Sequence, residues 1–587
     1  MSILGVDVGG TFTDAVLLAD GELRTAKVPT AARQEESVLA AVAAVGADEV
    51  ERFTHGTTVA TNALLERKGA RTAFVATAGF EHLLHLRRQN RAQLYRLCAA
   101  HPEPLVPLER CHGVRERIGP DGVVEPLELD SLPDLDGVEA VGVCLLFSFR
   151  DASHERAVAE ELRRRLPGAR VVASHELSPE LREYERASTT AIDAYLGPVV
   201  ARYLEALGRA AAGTGLPEPL VMRSSGGLAT LAEAAAHPAV ALVSGPAAGV
   251  VGAARVAGVA DAITLDMGGT STDVCLIRAG EAGRSSEREI GGLPLRLPMV
   301  DLQTVGAGGG SIVWRDRGGA LRVGPESAGA DPGPACYGRG GTRPTVTDAN
   351  LLLGRLPARL AGGLELDREA AERAFEGIDP AEAIEIVNAE MLRALRLVSV
   401  ERGHDPRELA LVAFGGAGPL HACALAEELG IETVLVPEAA GVLSALGLAV
   451  ADQRRDSVRS YVCPLEEAGE LPREGEAELR YSGQSFELAV PLQPGLAEAF
   501  HRAHEVRYGY ADRDREIELV AVRTADVRPG PSLTLPPAEP LESTGPGVLE
   551  LEGATCWLPP GWVGVRDGTS STLRLTKLSR DRADSVK

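Results

Sequence analysis

Asp7-Val8-Gly9-Gly10-Thr11-Phe12-Thr13-Asp14 and Asp266-Met267-Gly268-Gly269-Thr270-Ser271-Thr272-Asp273 are one phrase written twice, with six of eight positions identical. Each copy follows an apolar run that reads as a strand, 3–6 and 262–265, and precedes another, 15–18 and 274–277. The phrase therefore predicts the tight turn of a β-hairpin, once in each half of a duplicated body. Glycine lets backbone N–H groups approach an anion, which makes Gly9, Gly10, Gly268 and Gly269 candidate phosphate-binding positions. The hydroxyls of Thr11, Thr13, Thr270 and Thr272 are expected to add donors. Two such turns facing each other predict a clamp for a polyphosphate with its metal. Asp7 and Asp266 end the first strands and are placed to hold Mg2+ directly or through water. Asp14 and Asp273 suit either an Asx-type turn contact or a role in the cleft.

The length of 587 residues implies several domains. The formal charge of −23 argues against non-specific binding to nucleic acid or to an anionic membrane. Eight cysteines are scattered without a CxxC pair, so neither a disulfide framework nor a zinc framework is expected. The histidines show no ligand spacing, and no dedicated transition-metal site is expected in this chain. The N-terminal residues lack a basic-then-apolar leader and no run reaches about 20 apolar residues, which predicts a cytoplasmic protein.

Strands and helices alternate over 53–175, with a buried strand at 140–147 and an amphipathic helix at 154–166. This favours an α/β body with mixed sheets. In residues 1–52 a helix runs from about 35 to 45, opened by Thr30 or a neighbour. A long helix at 179–212 is expected to link the halves, and 220–223 to open the second. Residues 283–350, rich in Gly and Pro, read as loops and short strands near the cleft. After about 455 the pattern becomes mostly β, with a helix around Leu496–Tyr508 and a Pro-rich crossing at 529–540. The division is 1–175 with the first turn, 176–455 with the second, and 456–587 as a mostly β tail domain.

A third Gly-rich turn, Gly415-Gly416-Ala417-Gly418, follows strand 409–414 and leads into a helix near Pro419. Such a turn suits a purine and ribose, because glycine leaves room for flat groups. Two phosphate turns followed by an adenosine turn resemble the actin-like ATPase superfamily, whose duplicated ribonuclease H-like domains and use of ATP with Mg2+ are then implied.

A closer resemblance rests on Thr54-His55-Gly56-Thr57-Thr58, Arg182-Glu183-Tyr184-Glu185-Arg186, Ser244-Gly245-Pro246-Ala247-Ala248-Gly249 and Gly306-Ala307-Gly308-Gly309-Gly310-Ser311. With Tyr481-Ser482-Gly483-Gln484-Ser485-Phe486 in the tail, they are similar to the A subunit of the ATP-dependent hydantoinase/oxoprolinase family over essentially the whole chain. The resemblance implies phosphorylation of the carbonyl of a cyclic amide of hydantoin, oxoproline or lactam type, with ring opening completed by a B-type partner subunit. The alternative it leaves open is the equivalent subunit of an acetone- or acetophenone-type ketone carboxylase. A third reading, a non-enzymatic nucleotide switch, is disfavoured by the long loops at 283–350. His55 is the first candidate for substrate or proton handling. Arg88, Asn90 and Arg91 suit either charge neutralisation or a solvated face, and His421 a structural role. Ser225 and Gln303 depart from the family pattern in cleft loops, which points to substrate selection there.

Overall fold

Both hairpins form, and in the same register: Asp7 lies opposite Asp14 as Asp266 lies opposite Asp273. Each turn closes alike, Gly9 N–H donating to the Phe12 carbonyl (2.9 Å) and Gly268 N–H to the Ser271 carbonyl (3.1 Å). The structure, a computed structural model, describes residues 2–578 except 20, 48, 361, 362, 533, 534, 537 and 569.

The duplication extends well beyond the hairpins. In the first half, antiparallel strands Ile3–Val8, Phe12–Ala19 and Glu22–Pro29 are continued by parallel strands Arg52–Thr57 and Leu220–Met222. In the second, Ala262–Met267, Thr272–Arg278 and Glu281–Ala282 are continued by Ala410–Phe414 and Thr433–Pro437. Numbered within its own half, each sheet runs third, second, first, fourth, fifth. Parallel neighbours need a crossover, and helices Gln34–Val45 and Pro380–Val398 supply it between third and fourth strands. The latter shows why the sequence makes a helix there. Asp379 caps it by accepting from Ala381 N–H, Pro380 occupies the first turn, and Ile384, Val387, Met391, Leu395 and Val398 fall on one buried face.

Three expectations change. Residues 220–223 do not open the second half: Leu220–Met222 is the fifth strand of the first, paired with Arg52–Thr57. The reason is an insertion. Strands Thr72–Thr77, Cys111–Val114, Ala140–Cys144 and Arg170–Ala173 make a separate, wholly parallel four-stranded sheet between fourth and fifth strands, not a continuation of the mixed sheet. The first half regains its fifth strand only after the long helix Glu183–Gly213. Finally, Thr30 does not cap the first helix, which begins at Gln34 without a side-chain cap. The Thr30 hydroxyl instead donates to the Gly9 carbonyl (2.9 Å), tying down the first turn.

The tail is mostly β with a helix at Leu496–Tyr508, and it serves both halves. Strands Gln453–Pro464, Ile517–Arg528, Glu476–Tyr481 and Leu488–Pro491 extend the first sheet, over a small core of Leu479, Tyr481, Phe500 and Leu519. Strands Leu541–Thr544, Trp562–Arg566 and Thr572–Lys577 extend the second sheet, pairing with Thr433–Pro437. The Pro-rich crossing at 529–540 falls partly outside the described residues. A buried quartet fastens the first part of the tail: Arg296 and Arg523 both pair with Glu180 and Glu478. No helix among the described residues is long and apolar enough to cross a membrane.

Candidate functional site: two facing carboxylates

Strand register decides what faces the cleft. Residues directly opposite across neighbouring strands point to the same face. One row reads Gly56, Asp7, Asp14, Lys27 across four strands. The equivalent row in the second half reads Phe414, Asp266, Asp273, Thr304, the last supplied by strand Gln303–Val305, which takes over the edge of Thr272–Arg278 where the short third strand does not reach.

Helix Ser244–Val256 brings the two rows together. A methyl group added at Gly245 would lie 3.3 Å from both carboxylate oxygens of Asp7, and one at Gly249 would lie 3.2 Å from Asp266 Oδ2. Gly245 and Gly249 stand one helical turn apart, a rise of about 6 Å, so both carboxylates line one face of one helix. Helix Leu443–Val450 backs this arrangement: a methyl at Gly5 or Gly447 would overlap the carbonyl of Ala445 or Ala248. The Ser-Gly-Pro-Ala-Ala-Gly segment is thus a site element that sequence reading took only as a family mark. Its signal was the i,i+4 glycine pair.

The carboxylates are electrostatically crowded. Burial, followed by the charge of Asp14, raises Asp7 to about 7, with Lys27 opposing. Burial, followed by Asp273, Asp7 and Asp14, raises Asp266 to about 8. Asp7 Oδ1 is buried with no hydrogen-bond partner among the described residues. Two crowded carboxylates, one with a bare buried oxygen, are an oxygen donor set suited to a hard divalent cation, so Asp7 and Asp266 fit Mg2+.

The turns expected to bind phosphate sit at this place. Gly10, Gly269 and Gly416 each face open space. Gly415 lies against Asp266, and Ala417 N–H donates to the Met267 carbonyl (3.0 Å), so the third turn is docked on the second phosphate strand. The second turn is also buttressed: Gly309 N–H donates to the Gly268 carbonyl (3.0 Å) and Gly310 N–H to the Gly269 carbonyl (2.7 Å). A methyl at Gly308 would lie 2.6 Å from the Thr270 backbone, which accounts for the glycine run at 306–310. Gly418 packs on the Leu265 carbonyl and is part of the framework.

Three candidates are withdrawn from direct contact. Thr13 and Thr272 are fully buried, because Thr13 pairs with Val8 and Thr272 with Met267, on the face opposite the aspartates. The Thr13 hydroxyl bonds to that of Thr30 (3.1 Å), and that of Thr272 donates to the Ala307 carbonyl. Thr11 and Thr270 stand at the turn tips, the first half-buried and the second exposed. His55 is the third. It stands opposite Val6, one residue out of phase with Asp7, and is fully buried. Its Nδ1–H donates to the Val6 carbonyl (3.1 Å) and its Nε2 accepts from the Tyr203 hydroxyl (2.7 Å). Burial lowers its pKa to about 4, leaving a neutral, fully bonded core imidazole. The residue of that motif facing the site is Gly56.

The other candidates lie elsewhere. Arg88 pairs with Glu185, Arg91 donates to the Leu94 carbonyl, and Asn90 is exposed. His421 is buried between Asn388 and Asn350, as a structural residue should be. Gln303 sits beside Thr304 at the edge of the second hairpin. Ser225 is buried, its hydroxyl without a partner among the described residues.

Such a fold is a pair of duplicated ribonuclease H-like domains, each carrying a glycine turn beside its inner aspartate. The sequence profile Hydantoinase/oxoprolinase matches residues 186–457, and its N-terminal region matches 3–166. The chain belongs to the hydantoinase/oxoprolinase family. It is 35% identical to caprolactamase subunit alpha of Pseudomonas jessenii, over 98% of this chain and 99% of that one. It is 35% identical to the acetophenone carboxylase gamma subunit of Aromatoleum aromaticum, over 76% of this chain and 68% of that one. The crystal structure of the ATP-dependent caprolactamase from Pseudomonas jessenii superposes with a TM-score of 0.84 at 31% identity, covering 98% and 99% of the two chains.

Proposed function

We propose that this chain is the ATP-using subunit of a cyclic-amide hydrolase, acting on a hydantoin, oxoproline or lactam carbonyl and completing ring opening with a B-type partner. The observation that carries the reading is the pair Asp7 and Asp266, each set against a glycine of the same helix and flanked by open glycine turns. An amide carbonyl is a poor electrophile. Transfer of the terminal phosphoryl of ATP to its oxygen, with ADP leaving, makes a carbon that water attacks; the C–N bond then breaks and phosphate departs. Phosphoryl transfer needs positioning and charge neutralisation more than covalent chemistry. Bound Mg2+ supplies the charge. Asp7 and Asp266 hold its place, while Gly10, Thr11, Gly269 and Thr270 offer donors to phosphate oxygens. Gly416 leaves space for the nucleoside, on a turn that Gly415 seats against Asp266.

Partnership is supported by the relatives, which are named as alpha and gamma subunits. It is also supported by an acid-free stretch of this acidic chain. Between Glu81 and Glu103 lie Arg87, Arg88, Arg91 and Arg96, and among them Leu94, Tyr95 and Leu97 stand 71%, 101% and 86% exposed. We assign this crown to a partner subunit with an acidic rim and an apolar centre. Tyr95→Asp is expected to abolish co-purification of the partner, and unchanged co-purification overturns the assignment.

The similarity to the acetophenone carboxylase gamma subunit keeps a ketone carboxylase as the second reading. The purified complex separates the two. ATP-dependent ring opening of a hydantoin, oxoproline or lactam supports the first, and ATP-dependent incorporation of bicarbonate into a ketone supports the second.

A further inference from the structure

The two halves match strand for strand, so their differences at the cleft carry information. Position for position, the row Gly56, Asp7, Asp14, Lys27 answers Phe414, Asp266, Asp273, Thr304. The inner aspartates are common to both. At the outer position the second half has a hydroxyl, Thr304, which donates to Asp273 and accepts from Arg288 (2.8 Å), so the cation there reaches the carboxylate through a hydroxyl and not directly. The first half has an ammonium, Lys27, whose Nζ lies 2.5 Å from Asp14 Oδ1. A further difference accompanies it. Phe12 of the first turn is Ser271 in the second, and Lys27 Nζ sits 5.3 Å from the centre of the Phe12 ring. The lysine is therefore held at the mouth of the first phosphate turn between a carboxylate and an aromatic face, its side chain 25% exposed.

Composition adds an independent observation. Of the 60 basic residues only four are lysine: Lys27, Lys68, Lys577 and Lys587. Lys68 and Lys577 are exposed surface partners of Glu66 and Glu427, and Lys587 lies outside the described residues. Elsewhere the chain uses arginine, and the one lysine beside the carboxylates is Lys27. The two cations are not equivalent. A guanidinium would fork onto Asp14 bidentately and stay there, whereas a compact ammonium on a flexible stem can change partner. The charge of Lys27 also acts on Asp7 and, across the cleft, on Asp266.

We propose that Lys27 is a catalytic residue of the phosphoryl-transfer site: it leaves Asp14 when nucleotide enters and binds the terminal phosphoryl group. Asp14 is then a holding partner that keeps the ammonium at the mouth of the cleft. The inference rests on the proposed ATP site, and it makes the first half the lobe that distinguishes ATP from ADP.

The test is calorimetric binding of ADP and of a non-hydrolysable ATP analogue, both with Mg2+, to the purified full chain. Lys27→Met is expected to weaken the triphosphate about 10- to 100-fold, the range for loss of one charged hydrogen bond, with ADP changed by no more than about threefold. Because Lys27→Met strands the Asp14 carboxylate, Lys27→Met/Asp14→Asn is measured beside it and is expected to show the same selective loss with the melting temperature of the wild type. Asp14→Asn alone is expected to retain the triphosphate preference. If wild type prefers the triphosphate and both Lys27 variants keep that preference, Lys27 is only the counterion of Asp14 and the inference falls. If wild type binds neither nucleotide, the ATP site falls and the inference with it.

Discussion

Gly56→Ala tests the site at its tightest point. Gly56 stands directly across from Asp7, and a methyl there would come within 2.5 Å of Asp7 Oδ1 and 3.2 Å of Leu448 Cδ1. Ordinary contact between such atoms begins near 3.4 Å, so the carboxylate must retreat by about 1 Å. Leu448 and the close-packed helix behind it block relief on the other side. A displacement of about 1 Å at a catalytic group costs roughly 100-fold in rate, or about 2.7 kcal/mol of transition-state stabilisation. Overpacking adds about 1–3 kcal/mol of lost stability. Gly245→Ala is the graded comparison: its methyl would meet the same two oxygens at 3.3 Å, and a few tenths of an ångström relieve it. The assay is phosphate release from Mg2+–ATP by the complex with its partner, per folded molecule, at 10 °C below the lower melting temperature. The expected order is wild type, then Gly245→Ala within about tenfold, then Gly56→Ala about 100-fold down. Gly56→Ala turning over within threefold of wild type would refute the claim that Asp7 must stand where this strand register puts it.

Four further outcomes follow from the geometry. The folded pKa of His55, about 4, lies below its ordinary value, so the unfolded chain binds the extra proton; its contribution is complete above pH 6.5 and falls by about 3 kcal/mol as pH drops to 4. Urea unfolding of His55→Phe should lose that slope relative to wild type while turnover per folded molecule stays within about tenfold; a thousandfold loss of turnover at unchanged stability would return His55 to catalysis. Thr272→Val should cost about 1–3 kcal/mol by stranding the Ala307 carbonyl, whereas Thr270→Val at the turn tip should leave melting unchanged and weaken nucleotide binding, as calorimetry would show. Arg523→Met removes one cation from a buried quartet and should cost about 3–5 kcal/mol, read as earlier protease cleavage within 453–528.

The repeated phrase was legible because it is local: a hairpin turn carries its glycines and its strands within eight residues. The third glycine-rich turn and the tail helix were legible for the same reason. What failed depended on register or on distant pairing. His55 and Gly56 differ by one residue, and only the partner strand decides which of them faces Asp7. Thr13 and Thr272 fall in a different class, since the phrase itself contains the answer: pairing Asp7 with Asp14 sends Val8 and Thr13 to the opposite face. Residues 220–222 were misplaced because more than 160 residues separate them from their neighbour strand 52–57, with a whole sheet inserted between. The Gly245–Gly249 pair announced close packing through its spacing, but not that each glycine would meet an aspartate.

The double attachment of the tail bears on how the chain is made. Thr572–Lys577 covers the edge of Thr433–Pro437, and Gln453–Pro464 with Ile517–Arg528 covers the edge of the first sheet. Until those residues leave the ribosome, both halves present open strand edges, which are templates for pairing with other chains. Shortening the gene to encode only the two halves should therefore give an aggregating product instead of a smaller folded protein. Expression trials should keep the tail on the same polypeptide and slow synthesis by lowering temperature.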